Sequence, residues 1–183
     1  MSDEVRILLV SGSTRRGSTN AAALATAAAV APSRVTAVSY DGLAGLPAFN
    51  PDDDGDRVPE AVARLRRQIA DADAVLFCTP EYAGTLPGSF KNLLDWTVGG
   101  GEIYGKPAAW INVAAPGRGQ SAEDTLALVL GYVGAVIVDA ACRRLQVDRA
   151  AIGPDGTVTD PEFTAQTAQV WDALLNHLGR SAL

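Results

Sequence analysis

Residues 11–20 hold the densest group of side chains that could do chemistry. The segment reads Ser-Gly-Ser-Thr-Arg-Arg-Gly-Ser-Thr-Asn and runs into an alanine-rich stretch that predicts a helix. Free backbone N–H groups and the partial positive charge of a helix N-terminus favour a bound anion, and Arg15 and Arg16 add two cations. The simpler interpretation is that Ser18 only caps the helix. A cap needs one such residue, whereas this segment has six hydroxyl or amide side chains.

The glycine spacing limits which anion this first loop can bind. A Walker A loop needs Lys after its second Gly, and Gly17 is followed by Ser18. A dinucleotide fingerprint needs G-x-G-x-x-G, and Thr14 stands where its second Gly should fall. A terminal phosphate held by hydroxyls, an amide and an arginine suits FMN better than either.

The first loop must be positioned by strands and helices, which are predicted from apolar runs that alternate with helical patterns along the chain. Strands are predicted at residues 5–10, 35–39, 74–78, 107–114 and 136–138. Strand 74–78 has no polar residue, so it must be covered on both faces, which indicates a parallel sheet with right-handed crossovers. The prediction is a flavodoxin-like, doubly wound α/β domain over residues 1–183. Its five-stranded parallel sheet has the order 2-1-3-4-5, with helices on both faces.

The helices are predicted from their start signals and apolar faces. They cover residues 18–31, a segment that begins at Pro59, residues 90–98, a segment capped by Ser121, and a last helix that starts at residues 160–162. The second helix should bury one face and leave three arginines in water; the buried set is Val58, Val62, Leu65 and Ile69, and the arginines are Arg64, Arg66 and Arg67. The last helix should bury Phe163, Val170, Trp171, Leu174 and Leu178. Cys78 and Cys142 lie in apolar runs and are expected to be reduced core residues.

In a sheet of this order ligands bind beyond the carboxyl ends of the strands, which brings the loops after Val10, Cys78 and Ala114 together. The second of these loops continues as Pro-Glu-Tyr-x-Gly-x-x-Pro-Gly-x-x-Lys-Asn-x-x-Asp-Trp over residues 80–96. With Gly-Ser-x-Arg-x-x-Ser-x-Asn over residues 12–20, it resembles the NAD(P)H-dependent FMN reductase family, in order along the chain.

This resemblance implies a set of FMN-binding residues. The phosphate would be bound by the first loop, through Gly12, Ser13, Arg15, Ser18, Thr19 and Asn20. The isoalloxazine edge would lie along the second loop, at Pro80, Glu81, Tyr82, Ala83 and Gly84. The backbone of the third loop, at Pro116 and Gly117, would approach the far side of the flavin.

The sequence departs from the family in two of these loops. Ala83 stands where the family often has Asn, so a side-chain amide is missing, and Ala115 and Pro116 match a Ser-x-Gly-type loop only partly. From the residues alone, the second loop could also be a plain surface turn with Tyr82 half-buried. Asp95 and Trp96 are expected to anchor their helix.

By resemblance the protein is an oxidoreductase that takes hydride from NADPH or NADH and passes electrons through FMN to a quinone, an azo compound, a metal oxyanion or free flavin. The flavin carries that chemistry, so no side chain is assigned as catalytic. Arg57 and Arg118 are candidates for the 2′-phosphate of NADPH. The family implies a homodimer or tetramer, in which Glu81 either meets an arginine of a partner chain or is solvated. The alternatives are a flavodoxin-type electron carrier without nicotinamide activity and a non-catalytic FMN or nucleotide sensor.

Composition excludes several other classes. The 183 residues carry 15 Lys and Arg against 21 Asp and Glu, a net charge of −6, which argues against nucleic-acid binding. No apolar run could cross a bilayer and the start is not a signal peptide, so a cytoplasmic protein is expected. Residues 50–55 resemble a calcium loop, but the twelfth position is Ala61 instead of a carboxylate. His177 is the single histidine, which leaves no zinc or triad pattern and no predicted metal site.

Overall fold

A computed structural model describes residues 4–55 and 58–179, in which helices and strands alternate along the chain. The strands are β1 (Val5–Ser11), β2 (Val35–Tyr40), β3 (Ala74–Cys78), β4 (Pro107–Asn112), β5 (Val136–Ile137) and β6 (Arg143–Arg144). The helices are α1 (Thr19–Ala29), α2 (Glu60–Ala70), α3 (Gly88–Asp95), α4 (Gln120–Tyr132) and α5 (Pro161–His177). Four short 3₁₀ turns lie at Leu43–Gly45, Pro51–Asp53, Asp139–Ala141 and Arg149–Ala151.

The strands form one parallel sheet in the predicted order, β2-β1-β3-β4-β5. Strand β1 pairs with β2 on one side and with β3 on the other, so the order reverses beside β1. Every residue of β3 is buried, which explains its unbroken apolar sequence: such a strand is stable only with packing on both faces.

Two hydrophobic cores cover the two faces of the sheet. The first joins alternate side chains of β1, such as Ile7 and Leu9, to α1 and α5. The second joins Leu8 and Val10 to α2, α3 and α4. The predicted flavodoxin-like architecture with helices on both faces is therefore confirmed.

The fifth sheet position is divided between two short strands. β5 pairs with Pro107 and Ala108 at the start of β4, and β6 pairs with Ile111 and Asn112 at its end. The 3₁₀ turn Asp139–Ala141 separates them. The prediction of one strand over residues 136–138 therefore missed β6, which consists of two arginines and carries no apolar signal.

Several helix ends differ from the prediction. α3 begins at Gly88 and ends at Asp95, earlier at both ends than predicted. The N-cap of α4 is Gly119, which has a φ of 82°, and the helix begins at Gln120. Ser121 therefore lies inside the helix and does not cap it. Pro59 and Val58 precede α2, and Val58 is only half-buried.

The two faces of α2 were predicted with one error. Val62, Leu65 and Ile69 are buried as expected, but Arg66 does not face water. Its side chain is 12% exposed and donates to the Trp96 carbonyl oxygen at 3.0 and 2.8 Å and to Asp54 at 2.6 Å. The segment before α2 folds back over this arginine, which a helical pattern alone does not reveal.

The C-terminal segment is fastened to α1. The Trp171 indole N–H donates to the Ala27 carbonyl at 3.0 Å, and the Val158 amide donates to Thr26 Oγ1 at 2.8 Å. Four of the five predicted apolar residues of α5 are buried, while Leu178 follows the helix end and is half-buried. The small side chains of α1 let this segment approach its backbone.

Candidate functional site

Three loops meet at the carboxyl ends of β1, β3 and β4 and enclose a cleft with about 540 Å³ of empty space, part of it open to solvent. Its lining comes from all three loops and consists of Thr19, Asn20, Thr79, Pro80, Glu81, Val113, Ala114, Arg118 and Gly119. The predicted meeting of the loops after strands 1, 3 and 4 is thus observed. In a parallel sheet this edge is where ligands bind.

The first loop presents backbone N–H groups and hydroxyls at the start of α1. Ser18 caps the helix and accepts from the Ala21 amide at 3.1 Å, and its buried hydroxyl keeps its own proton available for donation. The loop is shaped by Ser13, whose amide donates to Ser11 Oγ at 3.2 Å, and by Gly17, whose φ is 63°. The first turn of α1 contains no acidic residue, so its positive end is not neutralised.

The two arginines of the first loop are exposed. The backbone amide of Arg15 donates to Ser13 Oγ at 3.3 Å, so the backbone of Arg15 belongs to the folded loop. Neither Arg15 nor Arg16 belongs to the cleft lining. Both lie in the first loop, outside the lining, where a cation strengthens the attraction for an anion held at the helix end.

Gly12 joins the first loop to the second at very short range. Its amide donates to the Cys78 carbonyl at 2.8 Å, and a Cβ at this position would lie 2.2 Å from Thr79 Oγ1. No larger residue fits unless the side chain of Thr79, the residue after β3, moves away. The second residue of the predicted phosphate loop is therefore a glycine because two strand ends touch there.

Asn20 and Cys78 form a buried contact behind the cleft. The Cys78 thiol donates to Asn20 Oδ1 at 3.3 Å. Burial raises the pKa of the Cys78 thiol far above its usual range, so the thiol stays protonated and acts as a donor. Because Oδ1 faces the thiol, the Asn20 NH₂ group remains to donate elsewhere, and this side chain lines the cleft.

The second loop contains a tight two-residue turn. Tyr82 and Thr85 exchange both backbone hydrogen bonds, at 3.0 and 3.1 Å, and the residues between them have positive φ, 51° for Ala83 and 75° for Gly84. This is the geometry of a type I′ turn, in which Asn-Gly is preferred. Tyr82 is 52% exposed and follows Glu81 in the chain. Pro80 and Glu81 line the cleft, whereas Tyr82, Ala83 and Gly84 are not among its lining residues.

The third loop contributes different residues from those predicted. Pro116 and Gly117 lie at the exposed tip, and the cleft is lined instead by Val113, Ala114 and Arg118. Thr79 and Gly119 also line it and were not singled out from the sequence. Only their positions in the chain could have predicted this role, because Thr79 directly follows β3 and Gly119 directly precedes α4.

Residues set aside from the sequence lie away from the cleft. His177 is exposed at the end of α5, and the described residues contain no group of three or more His, Cys, Asp or Glu side chains that could hold a metal ion. Both cysteines are free, with Cys78 buried and Cys142 only half-buried. Arg57 falls outside the described residues. Trp96 anchors α3, because its indole N–H donates to the Pro47 carbonyl at 2.9 Å.

A doubly wound sheet with a loop of hydroxyl and amide side chains at its switch point defines the chain as a flavodoxin-like α/β protein. Residues 5–144 match the family model described as NADPH-dependent FMN reductase. The chain belongs to the NADPH-dependent FMN reductase family, an oxidoreductase family that uses FMN with NAD(P)H.

Individual relatives have consistent descriptions. An NAD(P)H-dependent FMN reductase of Pseudomonas aeruginosa is 42% identical over 117 residues, and this match spans 63% of each chain. A 2-hydroxy-1,4-benzoquinone reductase of a Burkholderia species is 33% identical over 86% of this chain and 87% of its own. The solved structure of FerB, a flavoenzyme NAD(P)H:(acceptor) oxidoreductase from Paracoccus denitrificans, superposes with a TM-score of 0.80 at 30% identity, covering 94% of this chain and 98% of that one.

The cleft fits the phosphate end of FMN. Its lining includes an Asn20 NH₂ group that donates to no other group in residues 4–55 and 58–179, and the uncompensated N-terminus of α1, with the Ser18 hydroxyl proton, lies directly before it in the chain. These are donors, as a phosphate requires. The turn at residues 82–85 presents the exposed Tyr82 ring, while the backbone groups of Tyr82 and Thr85 close the turn.

Proposed function

We propose that this protein is an NAD(P)H-dependent FMN oxidoreductase that delivers electrons to a small-molecule acceptor, with a quinone as the class its relatives favour. The observation that carries the proposal is the cleft, whose lining joins the start of α1 to the loops after β3 and β4. The relatives whose descriptions name quinones and NAD(P)H support this acceptor and these reductants.

The first loop is proposed to hold the phosphate. Backbone N–H groups at the start of α1, together with Ser13, Ser18, Thr19 and Asn20, donate to its oxygens, and Gly12 keeps the loop close to β3. Arg15 supplies charge from the first loop. Hydrogen bonds to a charged group are worth about 1.5–3 kcal/mol each, so a few of them account for much of a micromolar affinity, which needs about 8 kcal/mol.

The second and third loops are proposed to position the ring system. Bound FMN supplies hydride acceptance and electron transfer. The backbone groups of Glu81, Ala83 and Gly84, beside Pro80, are proposed to face the pyrimidine edge. Tyr82, whose own backbone closes the turn, is proposed to offer its ring. Pro116 and Gly117 shape the loop tip, while Ala114 and Arg118 line the cleft. Of the two candidates for the 2′-phosphate of NADPH, Arg118 is the one within the residues that the structure describes.

The protein is further proposed to act as a homodimer. Four large side chains on one surface are strongly exposed: Tyr104, Leu128, Tyr132 and Val136. Leu128 and Tyr132 are one helical turn apart on α4, and a Cβ on Gly134, two residues after Tyr132, would meet the Tyr104 ring, so Tyr104 lies near the end of α4. Exposed apolar patches of this kind mark interfaces.

This apolar patch extends towards the cleft. Thr125, one turn before Leu128, shares a hydrogen bond with Thr85 at 3.2 Å, and Thr85 closes the turn of the second loop. A second copy on α4 would therefore also come close to the second loop, in which Glu81 lines the cleft and Tyr82 is exposed. Sedimentation of the protein and of Leu128→Glu tests this: we expect a dimer that the charge converts to a monomer, and a wild-type monomer would contradict the proposal. In the described part of the chain, no helix has both the length and the apolar character needed to span a membrane.

The test of the proposed activity is anaerobic stopped-flow mixing. Protein reconstituted with FMN is mixed with NADPH and separately with NADH, and bleaching of the flavin absorbance is followed before a quinone is added. We expect bleaching by at least one nucleotide and reoxidation by the quinone. Bleaching by neither would favour a flavodoxin-type carrier, and failure to bind FMN would refute both.

Arg15→Ala tests the phosphate assignment. Loss of one charged hydrogen bond of about 1.5–3 kcal/mol predicts a Kd for FMN about 10- to 150-fold higher. Isothermal titration measures this, with Arg16→Ala beside it as the neighbouring cation. An unchanged Kd for Arg15→Ala would remove that residue from the phosphate site.

A further inference from the structure

We propose that Asn112 is a positioning residue that holds the third loop in its binding shape and thereby sets the affinity for FMN. The inference rests on the proposed function, because it concerns the same cleft. Asn112 is the last residue of β4 and is only 7% exposed. It is not among the residues expected to touch the flavin.

The side chain of Asn112 fastens both ends of the third loop. Its Oδ1 accepts from the Ala114 amide at 3.0 Å, at the start of the loop. Its Nδ2 donates to the Gly119 carbonyl at 3.1 Å, at the end of the loop. Ala114 and Gly119 both line the cleft, so one amide fixes the two points at which this loop enters and leaves the site.

The orientation of this amide is fixed by Glu123. The second Nδ2 hydrogen is donated to Glu123 Oε2 at 3.1 Å, and an ionised carboxylate can only accept. The Asn112 amide therefore cannot rotate by 180° without directing Oδ1 at the carboxylate. Glu123 is itself held, since its Oε1 accepts from the Trp110 indole at 2.7 Å and its Oε2 from Arg144.

The packing around Asn112 leaves little freedom to compensate for its loss. Gly119 has a φ of 82°, and a Cβ there would lie 2.8 Å from both Nδ2 and Oδ1 of Asn112. The glycine is therefore required where the amide and the loop backbone touch. An Asp at position 112 would lose both donated hydrogen bonds and place a second carboxylate beside Glu123.

The chain offers a matched control in Asn92 on α3. This amide also fastens a loop by both of its ends: Oδ1 accepts from the Phe49 amide at 2.7 Å, and Nδ2 donates to the Pro47 carbonyl at 2.8 Å. The loop it holds does not line the cleft. Loss of Asn92 therefore measures what a loop-fastening amide contributes to the fold alone.

The experiment compares Asn112→Ala, Asn112→Asp and Asn92→Ala with wild type. Urea unfolding of the apo forms and the Kd for FMN by fluorescence quenching are measured for each. We expect Asn112→Ala and Asn92→Ala to lower stability alike, but only the Asn112 variants to raise the Kd, by about tenfold or more. An equal Kd for all three variants and wild type would overturn the inference.

A second route covers the case in which the Asn112 variants do not fold. Arg144→Met changes an exposed side chain and removes the donor to Glu123 together with donors to Arg118 and Gln120 at the end of the same loop. It should raise the Kd for FMN about threefold without loss of the fold, and an unchanged Kd would count against the inference. Wild type and Arg15→Ala separate the two proposals. If wild type does not bind FMN, the proposed function fails, whereas a normal Kd in the folded Asn112 variants of an FMN-binding protein refutes only the role of Asn112.

Discussion

Replacing Ala83 with Gly or Asn should stabilise the protein, because Ala83 is the one non-glycine residue with positive φ in the described ranges 4–55 and 58–179. Its φ is 51°, at the first central position of a turn that Tyr82 and Thr85 close with two backbone hydrogen bonds. The side chain of Ala83 is exposed, so a substitution there disturbs no packing.

The size of the gain follows from two opposing effects. The left-handed conformation costs a residue with a Cβ about 1–2 kcal/mol, and Gly removes this cost. Gly also makes the unfolded chain more flexible, which reduces this gain in stability by about 0.5–1 kcal/mol. Ala83→Gly should therefore add about 0.5–1 kcal/mol, and Ala83→Asn a similar amount because Asn tolerates this conformation. Gly84→Ala places a Cβ at a φ of 75° and should destabilise by about 1 kcal/mol or more.

Urea unfolding of the apo proteins, followed by circular dichroism, measures these changes. For a chain of this size, 1 kcal/mol corresponds to a shift in Tm of about 2–4 °C. The reasoning fails if neither Ala83 variant is more stable than wild type, or if Gly84→Ala is harmless. The Kd for FMN gives a second comparison, since a tighter Kd in Ala83→Asn than in Ala83→Gly would mean that the amide itself contacts the flavin.

Three further predictions concern the rest of the molecule. Arg66→Ala removes the buried partner of a carboxylate and should cost about 3–5 kcal/mol in urea unfolding, whereas Arg64→Ala, in an exposed pair, should cost under about 1 kcal/mol. Burial raises the pKa of Tyr40 to about 12, so the unfolded chain loses this proton first; stability should fall between pH 10 and 12, and less so in Tyr40→Phe. Burial raises the pKa of Cys142 to about 11 and that of Cys78 further, so an alkylating reagent at pH 8 should label Cys142 slowly and Cys78 only after unfolding, as read by peptide mass spectrometry.

The sheet could be predicted from the sequence because its central strands must be buried on both faces. The run at residues 74–78 has no polar residue, and that property alone required helices on both sides. β6 escaped prediction for the opposite reason. Arg143 and Arg144 form a strand only through their register with the end of β4, which is a tertiary property.

The position of the site could also be predicted, but its exact lining could not. Parallel topology dictates that the loops after β1, β3 and β4 meet, whatever their sequences. Which residues of the third loop face the cleft depends on the path of its backbone. That path is set by Asn112 and Gly119, so Pro116 and Gly117 lie at the tip instead of at the lining. Arg66 was misjudged in the same way, since the chain segment that covers it lies outside its own helix.

The attachment of the C-terminal segment to α1 has a practical consequence for shortened forms of the protein. The family match ends at residue 144, but Phe163, Val170 and Trp171 complete the hydrophobic core against α1. A version that ends at this boundary would expose one apolar face of α1 to water. The Ala27 carbonyl would also lose the indole N–H that donates to it. Because α1 begins at the proposed phosphate loop, removal of the C-terminal segment should lower the affinity for FMN as well as the stability of the fold.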